Sequence, residues 1–129
     1  MGVFVTPIPM GISGITDKPV VLLSATTYTL VINSLILCNL STNSIRVNLK
    51  RTYTPSSSNP TTVTYLVKNL EIPINAIDKE QKGSLDIVKY LGRELFLAPT
   101  DTIICYTGGI NQIVDCSLDY MILNDTNYP

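Results

Sequence analysis

Residues 29–53, TLVINSLILCNLSTNSIRVNLKRTY, decide the fold class. In their second half Ile45, Val47 and Leu49 alternate with Arg46, Asn48 and Lys50, and Tyr53 continues the apolar phase. Successive side chains of a strand point to opposite faces, so this half reads as an antiparallel strand covered on one side. The turn before it, Ser41 to Ser44, is built of residues that hydrogen-bond their own backbone. The first half, residues 29–40, is apolar in both phases. By simple alternation Leu30, Ile32, Ile36 and Cys38 share one face, and Val31, Leu35 and Leu37 share the other. Such a strand has to be covered on both sides, by its own sheets or by a neighbouring subunit, which makes Leu35 and Leu37 candidate interface residues.

Upstream, residues 20–24 are rich in Val and Leu and read as a short strand. Residues 1–18 carry Gly2, Gly11, Gly14, Pro7 and Pro9 without periodicity and read as an extended arm, either a clasp for a neighbouring subunit or a leader. Its apolar residues Val3, Phe4, Ile8 and Ile12 are candidate contacts, as is Tyr128 near the other end of the sequence.

Downstream, residues 54–62 (TPSSSNPTT) form the clearest loop. Residues 63–69 follow as a strand with Val63, Tyr65 and Val67 in phase, and 70–74 (LEIPI) as an edge segment, because Pro73 cannot donate to a ladder. Charges crowd a turn at 75–83. Ser84 is placed to cap one or two helical turns at 85–91, with Leu85, Val88 and Leu91 inward, although a strand fits the same residues. Strands at 94–97, 102–107 and 112–123 close the chain, joined by APTD and GGIN. In the last, Val114, Cys116, Leu118, Tyr120 and Ile122 alternate with Asp115, Ser117 and Asp119. This spacing predicts an all-β chain, an antiparallel β-sandwich of jelly-roll or immunoglobulin-like type with about seven to eight strands. Residues 19–129 form its single domain and 1–18 its arm.

Composition narrows the function. A net charge of −1, from 9 basic and 10 acidic residues, provides no field to gather nucleic acid or an anionic membrane. Charged residues are 15% of the chain, against an apolar 45%, and Thr, Ser and Asn take their place. An uncharged, hydrogen-bonding surface suits a subunit that lives against neighbours. The start of the chain lacks the basic end of a secretory leader, and the longest apolar stretch is too polar to span a bilayer as a helix. Cys38, Cys105 and Cys116 are odd in number and lack metal-ligand spacing. They read as buried thiols, with a Cys105–Cys116 pair geometrically open.

The chain has no histidine, which removes the commonest general base and metal ligand. No serine sits in an SxxK or GxSxG context. Asp115 and Asp119 fall on one strand face about 13 Å apart, too far for the paired acids of a retaining glycosidase. Asp101 and Asp125 lack the spacing of a calcium loop. Gly108 and Gly109 read as a hairpin turn because no phosphate-binding spacing follows. Lys50 and Arg51 lack the interleaved aromatics of a nucleic-acid platform. Tyr53, Tyr65, Tyr106 and Tyr120 lie in strand phase and read as core. Neither catalytic residues, cofactor, metal nor small-molecule ligand is expected.

Three groups of residues carry a resemblance. The strand of residues 28–49 contains Cys38 and Asn39, Tyr65 to Ile74 (YLVKNLEIPI) leads into Ile72 and Pro73, and Leu97 to Asp101 (LAPTD) precedes the penultimate strand. Together with residues 114–123 they resemble small virion structural proteins of tailed bacteriophages, in which a Leu-x-Pro-Gly-Asp-like turn stands at the third place. Here Thr100 takes the place of that glycine. The resemblance implies a β-sandwich serving as a head decoration, neck or tail accessory subunit, without catalytic residues. Its implied partners are copies of itself and other virion proteins (capsid, portal, neck or tail), and its implied location is the virion, after assembly in the host cytoplasm. The rival expectation is a carbohydrate-binding or adhesive sandwich using the loops at 54–62 and 108–111.

Overall fold

The computed structural model describes residues 7–53, 62–74 and 83–123. In chain order they form β1 (Ile8–Ile15), β2 (Val20–Ser24), β3 (Thr29–Asn39), β4 (Ile45–Tyr53), β5 (Thr62–Ile72), β6 (Ser84–Asp86), the helix α1 (Ile87–Leu91), β7 (Leu95–Leu97), β8 (Thr102–Thr107) and β9 (Val114–Leu123). One sheet has the order β1-β9-β3-β6, with β7 also pairing β3, and the other β2-β8-β4-β5. Every pairing is antiparallel.

These orders distinguish the two expected sandwiches. β1, β3 and β9 lie in one sheet and β2, β4 and β8 in the other, so the chain changes sheet at nearly every connection. β6 and β7 together fill one position beside β3, at its two ends, with α1 between them in sequence. Eight strand positions wound in this way are the jelly roll, not the immunoglobulin arrangement. Leu22, Ile32, Leu35, Leu37, Val47, Leu49, Leu97, Ile103 and Val114 are among the fully buried residues between the sheets.

The supposed arm is corrected in part. Ile8–Ile15 is an edge strand of the sandwich, paired to β9 from Ile8↔Tyr120 to Ile15↔Val114, and Ile15 is a core residue. Glycines and Pro9 hid the strand from periodicity, yet an edge position tolerates both. Gly14, at φ 72, takes a left-handed conformation where the register shifts, and its N–H donates to Asp115 Oδ1 at 2.9 Å.

The two faces of β3 are also corrected. Its register against β9 slips between Ile32↔Tyr120 and Ser34↔Asp119, so Asn33 is the extra residue of a β-bulge. Each alternation after the bulge is displaced by one residue. Leu30 and Ile32 before it and Leu35 and Leu37 after it therefore share the inner face, whereas Ile36 and Cys38 turn outward. Leu35 and Leu37 are 0% exposed and are core residues of the chain, not interface residues.

Residues 84–91 satisfy both readings in succession, strand and then helix. The helix cap is Asp86 rather than Ser84: its carboxylate accepts from Val88 N–H, and Gly92, at φ 77, ends the helix.

Candidate functional site

The outer face of the β2-β8-β4-β5 sheet is set by a second pair of irregularities. β5 advances three residues, Val67 to Leu70, while β4 advances two, Val47 to Leu49. Asn69 absorbs the difference at φ 53, its N–H donating to Asn48 Oδ1 at 2.9 Å. Leu66 is then skipped between the pairs Leu49↔Val67 and Lys50↔Tyr65. Val67 stays in the core, but Tyr65 turns out beside Lys50. Tyr65 and Tyr53 are exposed, correcting the expectation that both are core; Tyr120 does pack against the core.

On this outer face the hydroxyls of Tyr65 and Tyr106 hydrogen-bond at 2.8 Å. Lys50 Nζ lies 5.6 Å from the Tyr106 ring centroid and Lys68 Nζ 5.2 Å from that of Tyr65, within reach of cation–π attraction. The Tyr106 phenol is held above its ordinary value of 10.0, first by the hydrogen bond to Tyr65 and then by burial. Apolar residues extend the patch: Val21, 52% exposed, is paired with Ile104, itself paired with Lys50, and Val63 is exposed nearby on β5.

The opposite outer face, on β1, β9 and β3, is of different character. Paired rows place Gly11, Ser117 and Ile36 side by side, then Pro9, Asp119 and Ser34, with Asp115 beside Cys38. Small residues leave a shallow groove of about 300 Å³ lined by Gly11, Ser13, Ile36, Cys38, Asp115 and Ser117. In the strands of this sheet the charged residues are Asp86, Asp115 and Asp119, all acidic. In the strands of the other they are Arg46, Lys50, Arg51, Lys68 and Glu71, and Glu71 pairs with Arg46 at 3.8 Å. The described strands of the two sheets thus carry opposite net charge.

At the rim between β4, β5 and β7 lie two adjoining cavities of about 460 and 650 Å³, which share Arg51, Thr64 and Phe96. Arg51 Nη1 donates across the rim to Phe96 O at 3.4 Å. Asp101 lines the smaller cavity and Glu94 the larger, so the two carboxylates do not converge. Asp101 is 5% exposed and serves the fold: Oδ2 accepts from Ala98 N–H at 3.1 Å, its N–H donates to Ala98 O and its C=O accepts from Ala25 N–H. Oδ1 has no hydrogen-bond partner. Among the described residues no three His, Cys, Asp or Glu side chains gather as metal ligands, and no helix is long and apolar enough to cross a membrane.

The cysteines are free thiols. Cys105 and Cys116 are buried, and burial pushes both up to about 12, with Cys105 adding to the effect on Cys116. Cys38 is half-buried in the groove.

Of the residues expected at an interface, Val3, Phe4 and Tyr128 lie outside the described residues. Ile8 is exposed on the β1 edge strand, and Ile12 packs partly against the core. The loop at 54–61 also lies outside the described residues. The GGIN loop is tied down from both sides: Thr107 Oγ1 donates to Gln112 O at 2.8 Å, and Ser41 Oγ donates to Asn111 O at 3.1 Å. The outward-facing residues missed by periodicity are the exposed Ile36, Val21 and Tyr65 and the half-buried Tyr106. One available signal was Tyr65 with Lys68, at the i, i+3 spacing that a bulged strand brings to one face. Searches against protein-family models, curated proteins and solved structures found no match to the chain.

Proposed function

We propose that this chain is a non-enzymatic structural subunit of a tailed-phage virion that works through protein–protein contacts. Head decoration is the first location, with neck or tail next. The observation that carries the reading is the exposed apolar and aromatic surface on the outer faces of both sheets: Val21, Val63 and Tyr65, beside the half-buried Ile104, on one, and Ile36 on the other. These side chains stand on paired strands in a surface poor in charge, where a partner can cover them at small desolvation cost. The resemblance carried by Cys38-Asn39, Ile72-Pro73 and the turn at Leu97 to Asp101 supplies the virion context.

The test is to purify particles from the source and identify their chains by mass spectrometry, then measure the mass of the complex that contains this one. The chain is expected at a fixed copy number beside capsid, neck or tail proteins. Its absence from particles, with recovery as a free species of 14.1 kDa, overturns the reading.

A further inference from the structure

We propose that the chain binds a second copy of itself face to back, the acidic outer face of β3 and β9 in one copy covering the basic outer face of β4, β5 and β8 in the next. This rests on the reading of the chain as an assembly subunit and names the partner.

Charge selects the occupant. Lys50 and Lys68 have no carboxylate partner among the described residues, and each lies over a tyrosine ring. On the other face the Asp119 carboxylate accepts no hydrogen bond among the described residues, and the Asp115 carboxylate uses Oδ1 alone, toward Gly14 N–H. Two like faces would bring lysine to lysine or aspartate to aspartate, so a two-fold contact through either face is repulsive. Only the unlike pairing neutralises both, and one chain carries both faces.

Shape agrees with charge. The acidic face is concave where Gly11, Ser13 and Ser117 leave the groove, with Ile36 in its wall. The basic face projects two adjacent aromatic side chains, Tyr65 and Tyr106, flanked by Val21 and Ile104. A face about four strands wide and nine residues long covers on the order of 600 Å² in projection, the right order for the roughly 800 Å² each partner buries in a stable complex. Because the faces lie on opposite sides of the sandwich, the contact is heterologous and repeats from copy to copy, closing into a ring where the rotation permits.

Light scattering on the whole chain tests this. The wild type is expected to form multiples of 14.1 kDa in about 0.01 M salt and to dissociate toward monomer in about 1 M salt, where screening shortens the reach of charge to about 3 Å. Lys50→Glu/Lys68→Glu and Ser117→Lys/Asp119→Lys are each expected to lose self-association by at least about tenfold. Asp115 is kept because it holds Gly14. Mixing the two variants restores assembly, since each then offers the other its complement on both faces. A wild type that stays monomeric in low salt overturns the proposal, as do variants that associate undiminished, or folded variants that fail to associate on mixing.

Zero-length carbodiimide cross-linking of a mixture of light and heavy-isotope wild-type chains stands independently of whether the variants fold. Mixed-isotope links between Lys50 or Lys68 and Asp115 or Asp119 support the pairing, and intermolecular links confined to other residues overturn it. A wild type that is monomeric alone yet present in purified particles sinks this pairing while leaving the virion reading intact.

Discussion

The phenol oxygens of Tyr65 and Tyr106, from strands that are not neighbours in the sheet, meet at 2.8 Å over the β4 strand that separates them. The hydrogen bond to Tyr65 and, after it, burial favour the neutral Tyr106 phenol, which is why it is held above 10.0. A group whose value is raised by folding contributes stability that is complete below its unfolded value and lost as pH climbs through its folded one. Tyr65→Phe is therefore expected to lower the Tyr106 value toward 10.0, read by phenolate absorbance or by carbon NMR of the ring. It should also flatten the part of the alkaline stability loss that belongs to this pair, with little effect at neutral pH. An unchanged Tyr106 titration would mean that the contact does not hold the proton.

Leu35 and Ile36 exchange the roles that plain alternation assigns them. Leu35→Ala is expected to cost about 2–5 kcal/mol in denaturant unfolding, as for a large core side chain truncated in a packed interior. Ile36→Ser, on the outer face, is expected to stay within roughly 0.5 kcal/mol when measured on the dissociated chain. Equal losses at both positions would place the bulge at Asn33 in doubt.

This exchange shows where the sequence is legible and where it stops. Strand existence was readable from 20 onward, because β-branched and apolar residues alternate between clear turns; β9 follows its pattern closely, and β4 does so except that Asn48, expected in water, is buried and Tyr53, expected inward, is exposed. What alternation cannot carry is parity across a bulge. Asn33, Asn69 and Leu66 each displace the pattern by one, and with it the side on which Leu35, Ile36 and Tyr65 appear. β1 escaped because an edge strand needs neither periodicity nor freedom from Pro9. The three motifs behind the resemblance are joints of the fold: Asn39 binds the carbonyls of Ile72 and Pro73, and Thr100 sits in the turn before β8. Charge separation between the sheets is invisible along the chain because it depends on which strands share a sheet.

Asn39 is 1% exposed and closes one end of the sandwich. Its amide donates to Asn43 O, Ile72 O and Pro73 O at 2.9, 3.2 and 3.0 Å, and its Oδ1 accepts from Ser41 N–H at 2.7 Å. Asn39→Leu leaves the buried carbonyls and the Ser41 amide without these partners, at about 1–3 kcal/mol for each group that water does not reach. Asn39→Asp retains the acceptor but loses the donors and buries a charge, so it is expected to be at least as destabilising. Chemical denaturation of both variants checks the order.

The thiols predict a reactivity pattern. With Cys105 and Cys116 pushed up to about 12, almost none of either is thiolate near neutral pH, and both are buried. A chromogenic disulfide reagent is expected to label Cys38 rapidly in the native dilute protein and all three thiols in denaturant. Because folding raises both values from 9.0, their contribution to stability is whole below pH 9.0 and disappears as pH rises toward about 12. Rapid native labelling of three thiols would contradict the core positions of Cys105 and Cys116.

Ala98 to Asp101 form a β-turn closed by Asp101 N–H to Ala98 O at 2.9 Å, with Pro99 at its second position and Thr100 at its third, at φ 78. That is a type II turn, whose third residue needs a positive φ that glycine adopts freely and a β-branched side chain resists. The position is maintained by its surroundings, since Thr100 N–H donates to Ala25 O at 2.9 Å and Ala25 N–H in turn donates to Asp101 O at 2.9 Å. Thr100→Gly keeps this backbone pattern and removes the strain of a branched residue, an effect of about 1–2 kcal/mol, less the extra freedom glycine has when unfolded. Thr100→Gly and Thr100→Ala share whatever the threonine's own contacts contribute, so their difference isolates the cost of a Cβ at positive φ: the glycine variant is expected to exceed the alanine variant by about 1 kcal/mol, roughly 4 °C in Tm. Thr100→Ala removes the branching but keeps a Cβ at positive φ, so it should gain less than the glycine variant. Thermal unfolding of the three proteins in one buffer decides the matter: a Thr100→Gly variant no more stable than Thr100→Ala would mean that the positive φ costs nothing at this turn.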